Sequence, residues 1–84
     1  MKGLLIKDEI RWHDHWSSEL GKQLETRDSS NNLIIFAEKH GNEDILAIIA
    51  EAPEESYQIL DLEQASEEEC DFMADSGLCY RQLH

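Results

Sequence analysis

Through the first part of the chain, Ile6, Ile10, His13, Trp16, Leu20 and Leu24 follow one another at intervals of three or four. That spacing puts them on one face of a helix. Gly21 lies inside the pattern and costs about 1 kcal/mol against Ala in a helix interior. The pattern predicts an N-terminal helix, either one long segment or two abutting ones. A rival reading opens the chain with a strand over 4–12 and starts the helix at Ser17 or Ser18, whose hydroxyls suit a cap.

The polar run TRDSSNN at 26–32 reads as a turn cluster that ends this segment. Two β-branched apolar runs follow, around His40-Gly41-Asn42-Glu43. A Gly-Asn pair between such runs predicts a hairpin over 33–50. The competing reading is a helix from Asn42, with Glu43 and Asp44 in its first turn and an Ile45, Ile48, Ile49, Ala52 stripe ending before Pro53. SYQILDL at 56–62 alternates and reads as a third strand. SEEECDFMADSG predicts a short acidic helix near 67–76. Ser66 and Glu69 fit a capping box there, acids fill the first turn, and Gly77 sits at the stop. LCYRQL can finish as an edge strand. The expected fold is a single α+β domain over residues 1–84, with a helix, a small antiparallel sheet of three or four strands, and the acidic helix.

Size and composition narrow the function. A chain of 84 residues is one domain. No apolar run approaches the roughly 20 residues of a membrane-spanning helix. Only Leu4, Leu5 and Ile6 separate the first residues from Lys7-Asp8-Glu9, so no secretory signal is expected and the expected location is cytoplasmic. The net charge is −12. Residues 1–40 hold seven acids and six bases, whereas residues 41–84 hold twelve acids and one base. Such a field disfavours direct binding to nucleic acid or an anionic membrane, because both are polyanions. A basic protein partner is favoured for the same reason.

Catalytic and metal chemistry find little support in the motifs. The WHDHW segment at 12–16 carries His13 and His15 at i, i+2. On a strand that spacing chelates a metal ion, giving a small metal-binding regulatory domain as one alternative. On a helix the two rings diverge. Cys70 and Cys79 lack a CxxC spacing, and free thiols are favoured over a local disulfide in a reducing compartment. Glu68, Glu69 and Asp71 beside them raise a thiol's pKa, which argues against a cysteine nucleophile. DSSNN at 28–32 lacks the later Gly and Glu of a calcium loop. GxSxG, P-loop, GxGxxG and HExxH motifs do not occur. Neither enzymatic activity nor a cofactor is expected.

The acids remain as the distinctive feature. SEEECD places four carboxylates in six residues, with no cation at i+4 to relieve them. Self-repulsion of this kind lowers stability, and a net charge of roughly two to eight suffices for solubility. The excess implies a basic partner. The predicted partner-binding residues are Glu51, Glu54, Glu55, Asp61, Glu63, Glu67, Glu68, Glu69, Asp71 and Asp75, with Tyr57, Phe72 and Met73 as apolar anchors among them.

Small size, strong acidity and a helix-then-sheet order resemble phage-encoded inhibitors of host nucleic-acid enzymes, of the anti-CRISPR and anti-restriction type. Within that group the chain is similar to the phage uracil-DNA glycosylase inhibitor in two patches. These are GKQL at 21–24 followed by Asp28-Ser29, and ILAIIAEAPE at 45–54. The resemblance implies a strategy, acidic mimicry of nucleic acid, aimed at a nuclease, a CRISPR effector or a DNA repair enzyme in the host cytoplasm. An immunity protein or antitoxin that covers the basic site of a cognate nuclease is the other alternative.

Overall fold

The computed structural model describes residues 1–83. It is α+β, with six strands in one antiparallel sheet. The strands are β1 (Lys2–Ile6), β2 (Thr26–Ser30), β3 (Leu33–Phe36), β4 (Tyr57–Ala65), β5 (Phe72–Met73) and β6 (Cys79–Gln82). Their order across the sheet is β2-β3-β1-β4-β6-β5, so the first strand in the chain is central. Two helices, α1 (Asp14–Gln23) and α2 (Asn42–Ile48), cover part of one face. Single 3-10 turns stand at Glu54–Ser56 and Glu67–Glu69.

The start of the chain follows the rival reading only in opening with a strand, which ends at Ile6 rather than at residue 12, and neither Ser17 nor Ser18 caps the helix. Leu4 and Ile6 point to the helix-covered face, and the helix begins only at Asp14. Asp8 breaks the segment, because its carboxylate accepts the Ile10 and Arg11 N–H groups at 3.1 and 3.4 Å and holds a tight turn. Ile10, part of the expected stripe, is 96% exposed. Trp16 and Leu20 are buried as that stripe requires, whereas His13 is exposed and Trp12, outside the stripe, is buried.

The expected hairpin over 33–50 is half right. Residues 33–36 form a strand, but Asn42–Ile48 is a helix. Asp44 at its third position accepts the Gly41 N–H at 3.3 Å and so satisfies one orphan donor. Ile45, Ile49 and Ala52 are buried on one side of it. The tight hairpin lies elsewhere: TRDSS forms β2, and Asn31-Asn32 turns it into β3 with Ser30 opposite Leu33.

The expected acidic helix over 67–76 is absent, and the sheet has six strands rather than three or four. Only Glu67–Glu69 coils, Ser66 makes no side-chain cap, and Phe72–Met73 pairs with β6. A helix there would set Glu67, Asp71 and Asp75 at successive i, i+4 positions, each pair costing roughly 0.2–0.5 kcal/mol. Sheet pairing has no such cost. Gly77 does adopt a left-handed conformation, at φ 90°, but in the β5–β6 turn. β6, expected at an edge, is interior to β4 and β5.

The sheet is buried on both faces. On the outer face Leu4, Trp12, Trp16, Leu20, Phe36, Ile45 and Ile49 form one core with the helices. On the inner face Leu33, Ile35, Leu60, Leu62, Ala74 and Tyr80 form a second. Leu33 and Ile35 on β3 meet Tyr80 on β6 although β1 and β4 lie between those strands, so the sheet curls. Asp28 on β2 fastens the curl. Its carboxylate accepts the Tyr80 hydroxyl at 3.0 Å and the Ser76 hydroxyl, while Asp75 N–H donates to Ser29 O at 2.8 Å. Burial works to raise the Asp28 carboxyl. Hydrogen bonds from Ser76, the Ser29 N–H and Tyr80 outweigh it and hold the pKa below the usual aspartate value.

A lowered pKa means the folded state binds the Asp28 proton less readily than the unfolded chain does. The carboxylate's contribution is therefore complete above the ordinary aspartate value of about 3.9 and is lost as pH falls through the lower, folded-state value. Asp28→Asn should destabilise the protein by about 1–2 kcal/mol at neutral pH. In urea melts that difference from wild type should shrink toward zero on strong acidification; a constant difference would show that the charge is not what closes the curl. Two glycines give a second check with opposite signs. A Cβ on Gly3 would stand 2.5 Å from Leu62 Cδ1 in the inner core, so Gly3→Ala should lose roughly 1–3 kcal/mol. At Gly21 a Cβ meets nothing within 4 Å, and Gly21→Ala should gain roughly 0.5–1 kcal/mol in the same melts.

Candidate partner-binding surface

β4 organises the acids. Along it Gln58, Leu60, Leu62 and Gln64 share one face, and Leu60 and Leu62 fill the inner core. Tyr57, Ile59, Asp61, Glu63 and Ala65 share the other. The helices cover only the first part of that outer face, where Tyr57 and Ile59 pack. Past them the strand emerges with Asp61 exposed and Glu63 half-buried. The Glu54–Ser56 turn precedes β4, and the Glu67–Glu69 turn follows it. Nine strand residues span about 30 Å, so an acidic turn stands at each end of a rigid rod.

The fold does not gather all the predicted residues into one patch. Glu54, Glu55, Asp61, Glu63, Glu67, Glu68 and Glu69 lie along or at the ends of β4. Glu51 follows α2, near the first turn. Asp71 is exposed and its carboxylate accepts the Gln82 N–H at 2.8 Å. Asp75 belongs to the β5–β6 turn that meets β2. Two proposed anchors are already used: Tyr57 packs edge-on to Trp12 at 6.1 Å between ring centres, and Phe72 packs on the inner core. Met73 is 61% exposed on the outer face, opposite Cys79, with Leu78 and Leu83 the other exposed apolar residues of this region.

Several acids have cations that sequence spacing concealed. Lys2 pairs with Asp61 directly across β1 and β4. Arg81 pairs with Glu63 across β4 and β6 and reaches Glu69 at 3.1 Å. Those two carboxylates raise the Arg81 pKa. Arg11 reaches Glu55 at 3.2 Å, and the Glu55 pKa is lowered by a backbone hydrogen bond and by Arg11. These pairs are exposed and each is worth at most about 1 kcal/mol. Among the described residues, Glu51, Glu54, Glu67 and Glu68 make no ion pair.

The other candidate chemistry is dispersed. His13 caps α1 without a side-chain bond and His15 lies in its first turn; both are exposed, with ring centres 5.8 Å apart. No cluster of three potential metal ligands forms among the described residues. A cleft of about 370 Å³ is lined by Glu9, Asp14, Asn31 and Asn32 over Trp12, whose Nε1–H donates to Ser17 Oγ at 2.9 Å. Among the described residues no helix is long and apolar enough to cross a membrane. Comparison with protein-family models, with curated proteins and with solved structures gives no match.

Proposed function

We propose that the chain is a non-enzymatic inhibitor that occupies a basic, nucleic-acid-binding surface of a host defence or DNA-processing protein. The observation that carries this reading is the ridge formed by β4 and its two flanking acidic turns. It presents Glu54, Glu55, Asp61, Glu63, Glu67, Glu68 and Glu69 over about 30 Å of fixed backbone. Charges held on a strand and the turns that flank it avoid the ordering cost that a flexible acidic tail incurs on binding. Met73 supplies an exposed apolar contact beside the Glu67–Glu69 end.

The charge density sets the kind of mimicry. A single DNA strand carries about nine phosphates over 30 Å, and a duplex about twice that. The ridge has seven carboxylates, and Lys2, Arg11 and Arg81 offset three of them. It is therefore too sparse to copy a duplex phosphate for phosphate. Its field steers a basic groove toward the ridge, and shape plus the apolar contact complete the fit.

Glu67 and Glu68 make the sharpest test, because reversing them breaks no ion pair. The tagged protein should retain one DNA-binding protein from nuclease-treated bacterial lysate, released by rising salt and displaced by added DNA. Glu67→Lys with Glu68→Lys should weaken that complex roughly tenfold or more, about 1.4 kcal/mol, without lowering the midpoint of a urea melt. Retention indifferent to DNA, or affinity unchanged by the double reversal, would overturn the reading.

A further inference from the structure

Cys70 and Cys79 lie nine positions apart in sequence, yet the fold lays the segment that carries Cys70 against the strand that carries Cys79. Cys79 is on β6, opposite Ala65 of β4 and Met73 of β5, and its side chain is buried on the outer face. Cys70 follows the Glu67–Glu69 turn, which lies over β6 and is tied to it by Glu69 and Arg81. The next residue, Asp71, donates its N–H to Tyr80 O at 2.9 Å. That bond fixes the two backbones one residue from each cysteine. Both thiols are free; Cys70 is half-buried and Cys79 buried.

We infer that Cys70 and Cys79 form a redox-responsive pair, in which Cys70 is attacked first by a small disulfide and Cys79 resolves the adduct into an internal disulfide. The inference is independent of the proposed partner. Cys70 thiolate attacks one sulfur of a low-molecular-weight disulfide, RSSR, and expels RS⁻, which takes up a proton. Cys79 then loses its proton to solvent and attacks Cys70 Sγ, expelling the second RS⁻. Two thiols are oxidised to one disulfide, and RSSR is reduced to two RSH.

The order of attack follows from the surroundings. Cys79 has its pKa raised to about 11, by the neighbouring Cys70 sulfur first, then by burial and by Glu67. Buried and with its pKa raised, it reacts slowly with any disulfide that has to reach it from solvent. Capping Cys70 as a mixed disulfide places an electrophilic sulfur within the fold, so the resolving step needs no outside reagent to reach the buried thiol. The acids that argue against a catalytic cysteine leave uncatalysed exchange open and select the oxidant: Glu67, Glu68 and Glu69 beside Cys70 favour a cationic disulfide over an anionic one. Closing the bond joins the acidic turn covalently to β6.

The test uses cystamine, a cationic disulfide, and oxidised glutathione, an anionic one, on the native full chain. Intact mass under denaturing, non-reducing conditions should show a monomer lighter by two hydrogens, with both thiols lost together and no retained adduct. Cystamine should react several-fold faster than glutathione disulfide, with the gap narrowing in salt. The oxidised form should melt roughly 5 °C or more higher and return to its original midpoint with dithiothreitol. Cys79→Ser should stop at a one-adduct species on Cys70, and Cys70→Ser should leave Cys79 more than tenfold slower to react. A stable adduct on wild-type Cys70 beside free Cys79, a disulfide-linked dimer, or persistence of both thiols would each overturn the inference. The wild-type mass spectrum decides the matter even where a buried Cys79 variant folds poorly.

Discussion

A sheet of six strands has two faces to keep from water, and this chain has two short helices with which to do it. Everything else in the fold answers that shortage. The helices cover only the β3–β1–β4 side of the outer face, with Trp12 and Trp16 wedged beneath them at 5.1 Å between ring centres. Among the described residues no helix covers the inner face. That face is closed by the sheet curling on itself until Tyr80 of β6 packs on Leu33 and Ile35 of β3. Curling brings the edge strand β2 toward β6 and the β5–β6 turn, and Asp28 bridges them through Tyr80 and Ser76. A carboxylate in that place is stable only because three donors hold it, so the polar latch and the apolar inner core depend on one another.

The same shortage leaves the far part of the outer face bare, and the acids stand there. Asp61 and Glu63 occupy the face positions that would be core if a helix reached them. The arrangement is tolerable because the positions are wet and because Lys2 and Arg81 face them across the ladder. Cross-strand partners from opposite ends of the chain supply what local sequence lacks. Their individual energies are small, and they hold Asp61 and Glu63 in place while Glu67 and Glu68 stay without a cation among the described residues.

Elements whose pattern reflects burial on one side were legible in the sequence. The α1 stripe of Trp16 and Leu20, the alternation of 57–62 and the Ile45–Ile49 stripe all reappear as buried sets. Two-sided burial erased the signal for β1, since Leu4 and Leu5 serve opposite cores and read as a bare apolar run that a neighbouring Ile10 completed by coincidence. β2 was hidden for the opposite reason: TRDSS is an edge strand with little to bury, so its polar residues read as turn. The acidic segment misled through its good capping chemistry, which a pairing partner six to eight residues away overrode. The candidate acids were legible as a composition, but their placement was not, because it depends on how β4 pairs and on the turns at its two ends.

Placement on a strand has a consequence that composition does not convey. Alternate residues of a strand stand about 6.6 Å apart on one face, where two like charges repel by only about 0.6 kcal/mol in water and less once salt screens them. A helix would crowd the same acids at i, i+3 and i, i+4 and, being only two or three turns long, would have little cooperative gain to set against the repulsion. Extended backbone is thus the cheaper carrier for a dense row of carboxylates, provided its other face is buried. β4 meets that condition through Leu60 and Leu62, which seal the inner core beneath the exposed acids. Stability and the middle of the acidic ridge are therefore joined in one strand: the residues that hold β4 in the sheet also place Asp61 and Glu63 between the two acidic turns.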